Sequence, residues 1–185
     1  MEKTIIDSPP GMLKPSLNYG LLISVALIIL GLVFYLLGAY TSSIRSWLEI
    51  AVLLGGLIYA ALMFRNEVNG GYISYGRSLG FLTLTGLFTG IFTGIFQFIL
   101  LAFIAPDLME LIRTETIIAT EQLHITLNPN ISSEELDRYV DWGLKFQTPF
   151  WNLVQSIFGW TFWGFLGGLI ISIFIKRNPK PLEEV

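Results

Sequence analysis

The sequence contains no cysteine and only one histidine among its 185 residues. Without cysteine there can be no disulfide framework, no thiolate metal site and no cysteine nucleophile. A single histidine also argues against a histidine-based metal site, because such sites draw on a cluster of ligands. No carboxylate pair or nucleophile–base pair stands out for catalysis. We therefore expect no catalytic, metal or cofactor-binding residues, and we interpret the chain as non-enzymatic.

Charged residues are also scarce. They make up 14% of the chain, whereas an average soluble protein has about 25%. Hydrophobic residues make up 53%, and the mean hydropathy is +0.64. The formal net charge of −3 is too small to suggest a nucleic-acid partner. These figures indicate a single-domain membrane protein whose first partner is the lipid bilayer.

Four long apolar runs account for this composition. They are Leu17–Tyr40, Trp47–Phe64, Leu79–Ala105 and Phe150–Ile175. Each reaches the lower limit of about 17 residues for a transmembrane helix. The first run is too long for the core of a cleaved signal peptide, so we expect it to be retained. The sequence predicts an all-α protein, with an integral membrane four-helix bundle over residues 17–177 between a flexible N-terminus, 1–16, and a tail, 178–185.

The distribution of basic residues predicts the direction of the spans. Four spans place both termini on one side of the membrane, which would carry seven basic residues against four on the other side. The seven are Lys3, Lys14, Arg65, Arg77, Lys176, Arg177 and Lys180, and the four are Arg45, Arg113, Arg138 and Lys145. Because basic residues are enriched in cytoplasmic loops, we expect both termini to lie in the cytoplasm.

Residues 106–149, between the third and fourth spans, form the one sizeable segment outside the membrane and hold eight of the 14 acidic residues. Apolar residues recur at helical spacing from Pro106 to Leu127. Ser132 and Glu135 then form a capping box at the start of a second helix. We expect two amphipathic periplasmic helices that lie on the membrane surface or fold over the outer mouth of the bundle. They serve either as a solvated connection or as a lid or docking surface.

A Thr-Gly pair recurs every four residues in the third span, and a similar step of small residues occurs in the fourth. The glycines are Gly86, Gly90 and Gly94 in the third span and Gly164 and Gly168 in the fourth. Glycine at every fourth position makes a smooth groove, a pattern typical of close helix packing in lipid. We expect packing within the bundle. Homodimerisation through the groove and a pore lined by threonine hydroxyls are the alternatives.

Two glutamines, Gln97 and Gln155, lie within the third and fourth spans near their outer ends. An amide buried in lipid needs a partner, and an interhelical hydrogen bond worth about 0.6 kcal/mol on average would supply it. We expect the two side chains to join their helices, and contact with a solute is the alternative. No ionisable residue is expected deep in a span, which argues against an ion-coupled transporter.

Glu49 is the one acidic residue inside a predicted span, and it lies one helical turn from Arg45. This spacing predicts an exposed ion pair at the membrane interface. Such pairs contribute little to stability.

Several loop and span-end motifs resemble those of one family. They are Asn-Gly-Gly-Tyr-Ile-Ser-Tyr-Gly-Arg-Ser-Leu at 69–79, Ala105-Pro106, Thr148-Pro149 and Ile-Phe-Ile-Lys-Arg at 173–177. The family is a small four-span membrane family of Bacteroidetes, catalogued as domain of unknown function 4199. The resemblance runs from about Lys14 to Arg177. It implies a bacterial inner-membrane protein and brings no activity, ligand or functional residue.

Two functions follow from these observations. In the first, the protein acts by association with itself or with another membrane protein, through the outer segment or the glycine groove. In the second, it is a small-solute carrier or channel with a polar site near Gln97 and Gln155. A polar cavity that reaches both glutamines would favour the second function.

Overall fold

The computed structural model describes residues 11–177 and forms six α-helices over this range. They are α1 (Leu13–Leu36), α2 (Ser43–Met63), α3 (Tyr75–Ile99), α4 (Asp107–Leu127), α5 (Ser133–Lys145) and α6 (Pro149–Ile175). Residues 1–10 of the predicted N-terminal segment and the predicted tail 178–185 lie outside the described residues. Within residues 11–177 the only β contact is an isolated bridge between Ile73 and Arg177. The all-α prediction is confirmed.

Four of the helical segments are long and apolar enough to cross a membrane. They are Leu13–Leu36, Ser43–Val68, Tyr75–Ile104 and Pro149–Ile175. The prediction of a four-span membrane bundle is therefore confirmed. Several ends differ by up to four residues from the apolar runs. Helices α2 and α3 begin at the polar caps Ser42 and Ser74, and the π-helical turns Phe64–Val68 and Leu100–Ile104 extend their other ends.

Helix α1 is helical from Leu13 and ends at Leu36, before the predicted end at Tyr40. Gly38 adopts a positive φ of 67°. The Gly38 N–H donates to the carbonyl of Tyr35 and the Ala39 N–H to that of Phe34. These two bonds form a Schellman motif, which ends a helix. Tyr40 consequently lies in the loop, where its ring can contact α2.

The four spans form a ring in the order α1, α2, α6 and α3, and the contact between α3 and α6 is the most extensive. We call the end that carries the 65–74 loop the inner end and the opposite end the outer end. Toward the inner end, Phe64 and Phe81 are completely buried, with stacked rings 4.0 Å apart. Leu53, Leu57 and Leu82 are also completely buried. Large side chains thus close this half of the bundle.

The Thr-Gly repeat of α3 presents two stripes to two different helices. The glycine stripe contacts α6, and a Cβ built on Gly86 would lie 2.6 Å from the Trp160 carbonyl oxygen. The threonine stripe reaches α1 at Thr89, whose hydroxyl donates both to the Thr85 carbonyl, at 2.9 Å, and to the Gly20 carbonyl, at 3.3 Å. Successive residues of a helix point about 100° apart. One repeated dipeptide therefore joins three spans.

Helices α4 and α5 form a hairpin at the outer end. The Ser132 hydroxyl accepts from the Glu135 N–H at 3.3 Å, as the predicted capping box requires. The helices meet where Gly143 lies against Thr116 and Thr120, and no residue of α5 is buried. The prediction of two amphipathic helices is confirmed, and they pack mainly on each other.

The glycine stripe yields a prediction about stability. A Cβ at Gly90 would lie 2.8 Å from both the Ile157 Cα and the Ser156 carbonyl oxygen. Because these are backbone atoms, Gly90→Ala should force α3 and α6 apart and cost about 1–3 kcal/mol. Gly55→Ala is the matched control, since a Cβ there meets nothing within 4 Å. Thermal unfolding in detergent should show a lower Tm for Gly90→Ala alone, and equal Tm values for the two variants would contradict the close packing.

Candidate functional site

Three adjoining hollows lie in the outer half of the bundle, and Gln97 lines all three. We call them the deep pocket, the vestibule and the crevice, and together the outer cavity. Ser46 and Asn152 line both the vestibule and the crevice. Glu49 and Trp160 line both the deep pocket and the crevice. These shared walls place the three hollows side by side around Gln97.

The deep pocket lies between α1, α2 and α3 and has a volume of about 20 Å³. Such a volume holds roughly one water molecule. Its polar lining comes from Tyr40, Arg45, Glu49, Thr93 and Gln97. A buried water needs two to four polar partners, and this lining offers them. The deep pocket can therefore hold one buried water beside Gln97.

Arg45 organises the wall between the deep pocket and the vestibule. Its Nε donates to Glu49 Oε1 at 2.8 Å, and its Nη1 donates to the Tyr40 carbonyl oxygen at 2.6 Å. Its guanidinium carbon also lies 3.8 Å from the centre of the Tyr40 ring. Burial raises the pKa of the Tyr40 phenol above its ordinary value, so the ring stays neutral beside the cation.

The expectation that Arg45 and Glu49 form an exposed pair was wrong. Their side chains are only 12% and 15% exposed. Glu49 lies six residues inside the start of α2, which is about 9 Å of helical rise. The Schellman turn at Gly38 places the Tyr40 ring over Arg45, and the pair faces the outer cavity instead of solvent. The sequence signal for this site was a carboxylate inside an apolar run.

The vestibule opens at the outer end beneath α4 and has a volume of about 410 Å³. It is lined by Tyr40, Thr41, Arg45, Ser46, Gln97, Ile112, Glu115, Thr116, Ala119 and Asn152. The Arg113 Nε donates to the Gln147 carbonyl oxygen at 3.2 Å, which ties α4 to the segment before α6. The face of α4 that includes Ile112 and Thr116 thus borders the mouth of the bundle.

The crevice separates the outer parts of α2 and α6 and has a volume of about 300 Å³. It is lined by Ser46, Glu49, Ile50, Gln97, Asn152, Gln155, Ser156, Gly159, Trp160 and Trp163. Nearer the inner end the two helices touch, since a Cβ on Gly167 would lie 2.9 Å from Leu54. The crevice therefore has a closed floor and an open outer part.

The structure brings Gln97 and Gln155 to the walls of the same crevice without joining them. The Gln155 Nε2 donates to the Phe146 carbonyl oxygen at 3.2 Å. Within the described part of the chain, no protein group hydrogen-bonds the Gln97 amide. The Thr93 and Ser156 hydroxyls, 2.9 Å apart, form the polar link between α3 and α6 instead. The Thr-Gly repeat indicated that threonine hydroxyls of α3 could bond a neighbouring helix, but it did not indicate that Ser156 of α6 would be the partner of Thr93.

The predicted packing glycines lie at the contact between α3 and α6 of one chain. Gly90 and Gly94 face the α6 backbone, Gly86 faces Gly164, and Gly168 lies against side chains of α3. The groove is therefore filled by α6, and a second copy could enter it only by displacing that helix. Of the threonines beside it, Thr89 reaches α1 and Thr93 reaches Ser156 of α6. The hydroxyls of Thr85, Thr89 and Thr93 also donate to backbone carbonyls of α3.

A second open groove, which we call the hairpin groove, lies between α4 and α5 and has a volume of about 780 Å³. Its lining includes Leu123, His124, Arg138, Tyr139 and Trp142. The His124 and Tyr139 rings stack with their centres 3.9 Å apart. Trp142 and Leu123 remain 64% and 56% exposed. This groove presents apolar and aromatic surface outside the membrane spans.

Comparison with known proteins gives one match. A family model described as "Protein of unknown function (DUF4199)" matches residues 18–177. No curated protein and no solved structure matches the chain.

The buried ion pair gives a prediction that separates charge compensation from packing. Glu49→Gln removes the counter-charge of a largely buried arginine, and breaking such a pair should destabilise the fold by about 3 kcal/mol. Replacing both partners, as in Arg45→Met/Glu49→Leu, should restore most of the lost stability because no charge is left uncompensated. Thermal unfolding of the three proteins checks this. A double variant as unstable as Glu49→Gln would argue against charge compensation.

Proposed function

The chain belongs to the DUF4199 family, whose function is unknown, and we propose that this protein binds a small polar ligand in the outer cavity. The observation that carries the proposal is the position of Gln97. Gln97 lines all three hollows, and its side-chain amide has no protein hydrogen-bond partner within residues 11–177. A polar group in a membrane span is costly to leave unpaired. A bound ligand or water would supply the missing partners.

The dimensions and lining of the outer cavity support a binding role. The vestibule of about 410 Å³ and the crevice of about 300 Å³ each match the lower range of small-molecule sites. Arg45 and Glu49 contribute an intramembrane ion pair, and such residues mark ligand or ion pathways. The combination of fixed polar groups with Trp160 and Trp163 is typical of a ligand site.

The inner half favours binding over channel activity. The completely buried Phe64 and Phe81 rings close the bundle below the outer cavity. A channel needs a continuous polar path, whereas a carrier or receptor needs access from one side at a time. We therefore propose a ligand-binding, non-enzymatic protein, and transport would require the Phe64–Phe81 contact to open.

We also propose that the protein lies in a bacterial inner membrane with both termini in the cytoplasm. The excess of basic residues on the side of the termini supports this orientation. The outer cavity and the α4–α5 hairpin would then face the periplasm, and the ligand would come from that side.

Thiol labelling can test both the cavity and its orientation, because the chain has no cysteine. In spheroplasts, a membrane-impermeant thiol reagent should modify Gln97→Cys, and also Ser133→Cys at the exposed start of α5. Thr89→Cys should stay unmodified, since Thr89 is completely buried. A panel of neutral polar solutes should include at least one that raises the Tm of the native protein and slows labelling of Ser46→Cys, a variant that lines the vestibule and the crevice and keeps Gln97.

Each failure of this experiment has a separate meaning. Labelling of Ser133→Cys only after lysis would reverse the proposed orientation. Labelling of Ser133→Cys with none of Gln97→Cys, before or after lysis, would show that the outer cavity is not open to water. That second result would overturn the proposed site.

A second candidate function is association through the hairpin groove. The observation that favours it is α5, which has no buried residue and leaves Tyr139 and Trp142 exposed beside Leu123. Exposed apolar and aromatic surface outside the spans suits a protein partner or a second copy. The glycine groove does not support this function, since α6 fills it.

Site-specific photocrosslinking in native membranes tests the hairpin groove. A photoreactive residue at Leu123 should give one adduct of defined mass, and the same residue at Glu110, which lies outside the groove, should not. Trp142→Ala should reduce the Leu123 adduct severalfold. Equal adducts from Leu123 and Glu110 would indicate random collision and would argue against association through the groove.

A further inference from the structure

We infer that the crevice is a lipid site: it takes a neutral amphiphile whose hydrogen-bonding head reaches Gln97 and whose tail lies between α2 and α6. This inference rests on the proposed function and narrows its ligand class. It follows from four features of the crevice, namely the direction in which it opens, its free polar groups, its charge, and its size and lining.

The crevice opens sideways, toward the surrounding lipid. Helices α2 and α6 are neighbours in the ring and form its two sides, while Gln97 of α3 forms its back wall. The contact between Gly167 and Leu54 closes its floor. Ser46 and Gln155, at its margins, are exposed. In a bilayer, the space beyond this opening is occupied by acyl chains, so a molecule can enter from the outer leaflet.

The polar groups left free in the crevice offer both acceptors and donors, which suit a head group such as a hydroxyl or an amide that can do both. Gln155 and Asn152 each use their side-chain nitrogen to donate to a backbone carbonyl, of Phe146 and Thr148 respectively. Their amide oxygens keep their acceptor capacity. Glu49 uses only Oε1 toward Arg45, which leaves Oε2 as a third acceptor. A hydroxyl or amide head group can satisfy such acceptors, whereas an acyl chain alone cannot.

The charge of the crevice excludes a phosphate as the preferred head group. Arg45 is the one cation in the wall of the outer cavity over the described residues. Its Nε and Nη1 are bound to Glu49 and to the Tyr40 carbonyl, and its face lies on the Tyr40 ring. With its charge already compensated by Glu49, no cation remains to neutralise an anionic head. A neutral head is therefore expected.

The size and lining of the crevice favour a lipid over a partner helix. Its volume of about 300 Å³ suits a small head group and the first carbons of a chain. A helix is about 10–12 Å across and could not enter without separating α2 from α6. Trp160 and Trp163 supply flat apolar surface beside the polar back wall, as an amphiphile requires.

Binding of radiolabelled 1-oleoylglycerol to the protein in nanodiscs tests the inference. We expect saturable binding of one molecule per chain, and weaker binding of a lysophosphatidate with the same chain. Gly159→Phe should weaken oleoylglycerol binding at least tenfold, because Gly159 lines the crevice and a Cβ there meets no protein atom within 4 Å, which leaves room for the ring to occupy the crevice. Gly55→Phe is the matched control, since Gly55 is equally unhindered and lines none of the three hollows.

A second variant keeps the test decisive if Gly159→Phe does not fold. Gln155→Leu removes an exposed acceptor at the crevice margin and should weaken oleoylglycerol binding several-fold. The Tm should fall little, because the hydrogen bond to the Phe146 carbonyl that is lost with it is exposed. Unchanged binding in Gln155→Leu and in folded Gly159→Phe would overturn the lipid inference. Tighter binding of lysophosphatidate than of oleoylglycerol would also overturn it. A third contrary result would be that the native chain binds no oleoylglycerol but co-purifies with a protein that Gly159→Phe loses.

The outcomes also separate this inference from the proposed function. If Gln97→Cys is labelled from outside and free glycerol protects Ser46→Cys as well as oleoylglycerol does, the outer cavity stands and the lipid inference fails. If Gln97→Cys is never labelled and oleoylglycerol does not bind, both fail.

Discussion

The contact between the α3 and α6 backbones is the constraint on which the rest of the structure depends. Gly86 and Gly164 meet so closely that a Cβ on either would lie 2.9 Å from the Cα of the other. Lipid supplies no hydrophobic driving force between helices, so van der Waals contact and hydrogen bonds must hold them together. The same stretch of α3 also holds α1, through the threonine stripe and Gly20. Helix α3 thus fixes two neighbours, and α2 closes the ring.

This arrangement explains why the bundle is closed at one end and hollow at the other. Toward the inner end, α2 reaches α6 through Leu54 and Gly167 and fills the centre with Leu53, Leu57 and Phe64. Toward the outer end, α2 carries the Glu49 carboxylate where a close contact would need a small or apolar side chain. This carboxylate, held by Arg45, cannot pack dry against α6, and a cavity lies there instead. The carboxylate on α2 therefore accounts both for the polar lining and for the cavity.

Family membership sets the fold in a wider context without supplying a function, because the DUF4199 family is itself uncharacterised. The proposed function therefore depends on the site alone. Gln97 is central because it combines a position in a membrane span with unused hydrogen-bonding capacity. The Arg45–Glu49 pair and the Tyr40 ring fix one wall, and α4 borders the mouth. The Arg45–Glu49 wall, the Gln97 amide and the opening between α2 and α6 are the three features on which the proposal of a neutral amphiphilic ligand rests.

The sequence by itself determined the four spans, the two outer helices, the Ser132 cap and the close-packing role of the glycines, because these follow from apolar length, capping chemistry and residue size. It did not determine which helix would fill the glycine groove or where Glu49 would face. The 3.6-residue period places Arg45 and Glu49 on one side of α2, but only the packing of α1 and α3 against α2 decides that this side is buried. Likewise, Gln97 and Gln155 were recognisable as polar residues in lipid. Only the tertiary structure decided that they line a cavity instead of bonding to each other: Gln155 donates to the Phe146 carbonyl, while Gln97 lies in the wall of the hollow between α2 and α6. No local pattern records how two side chains are oriented across a helix contact.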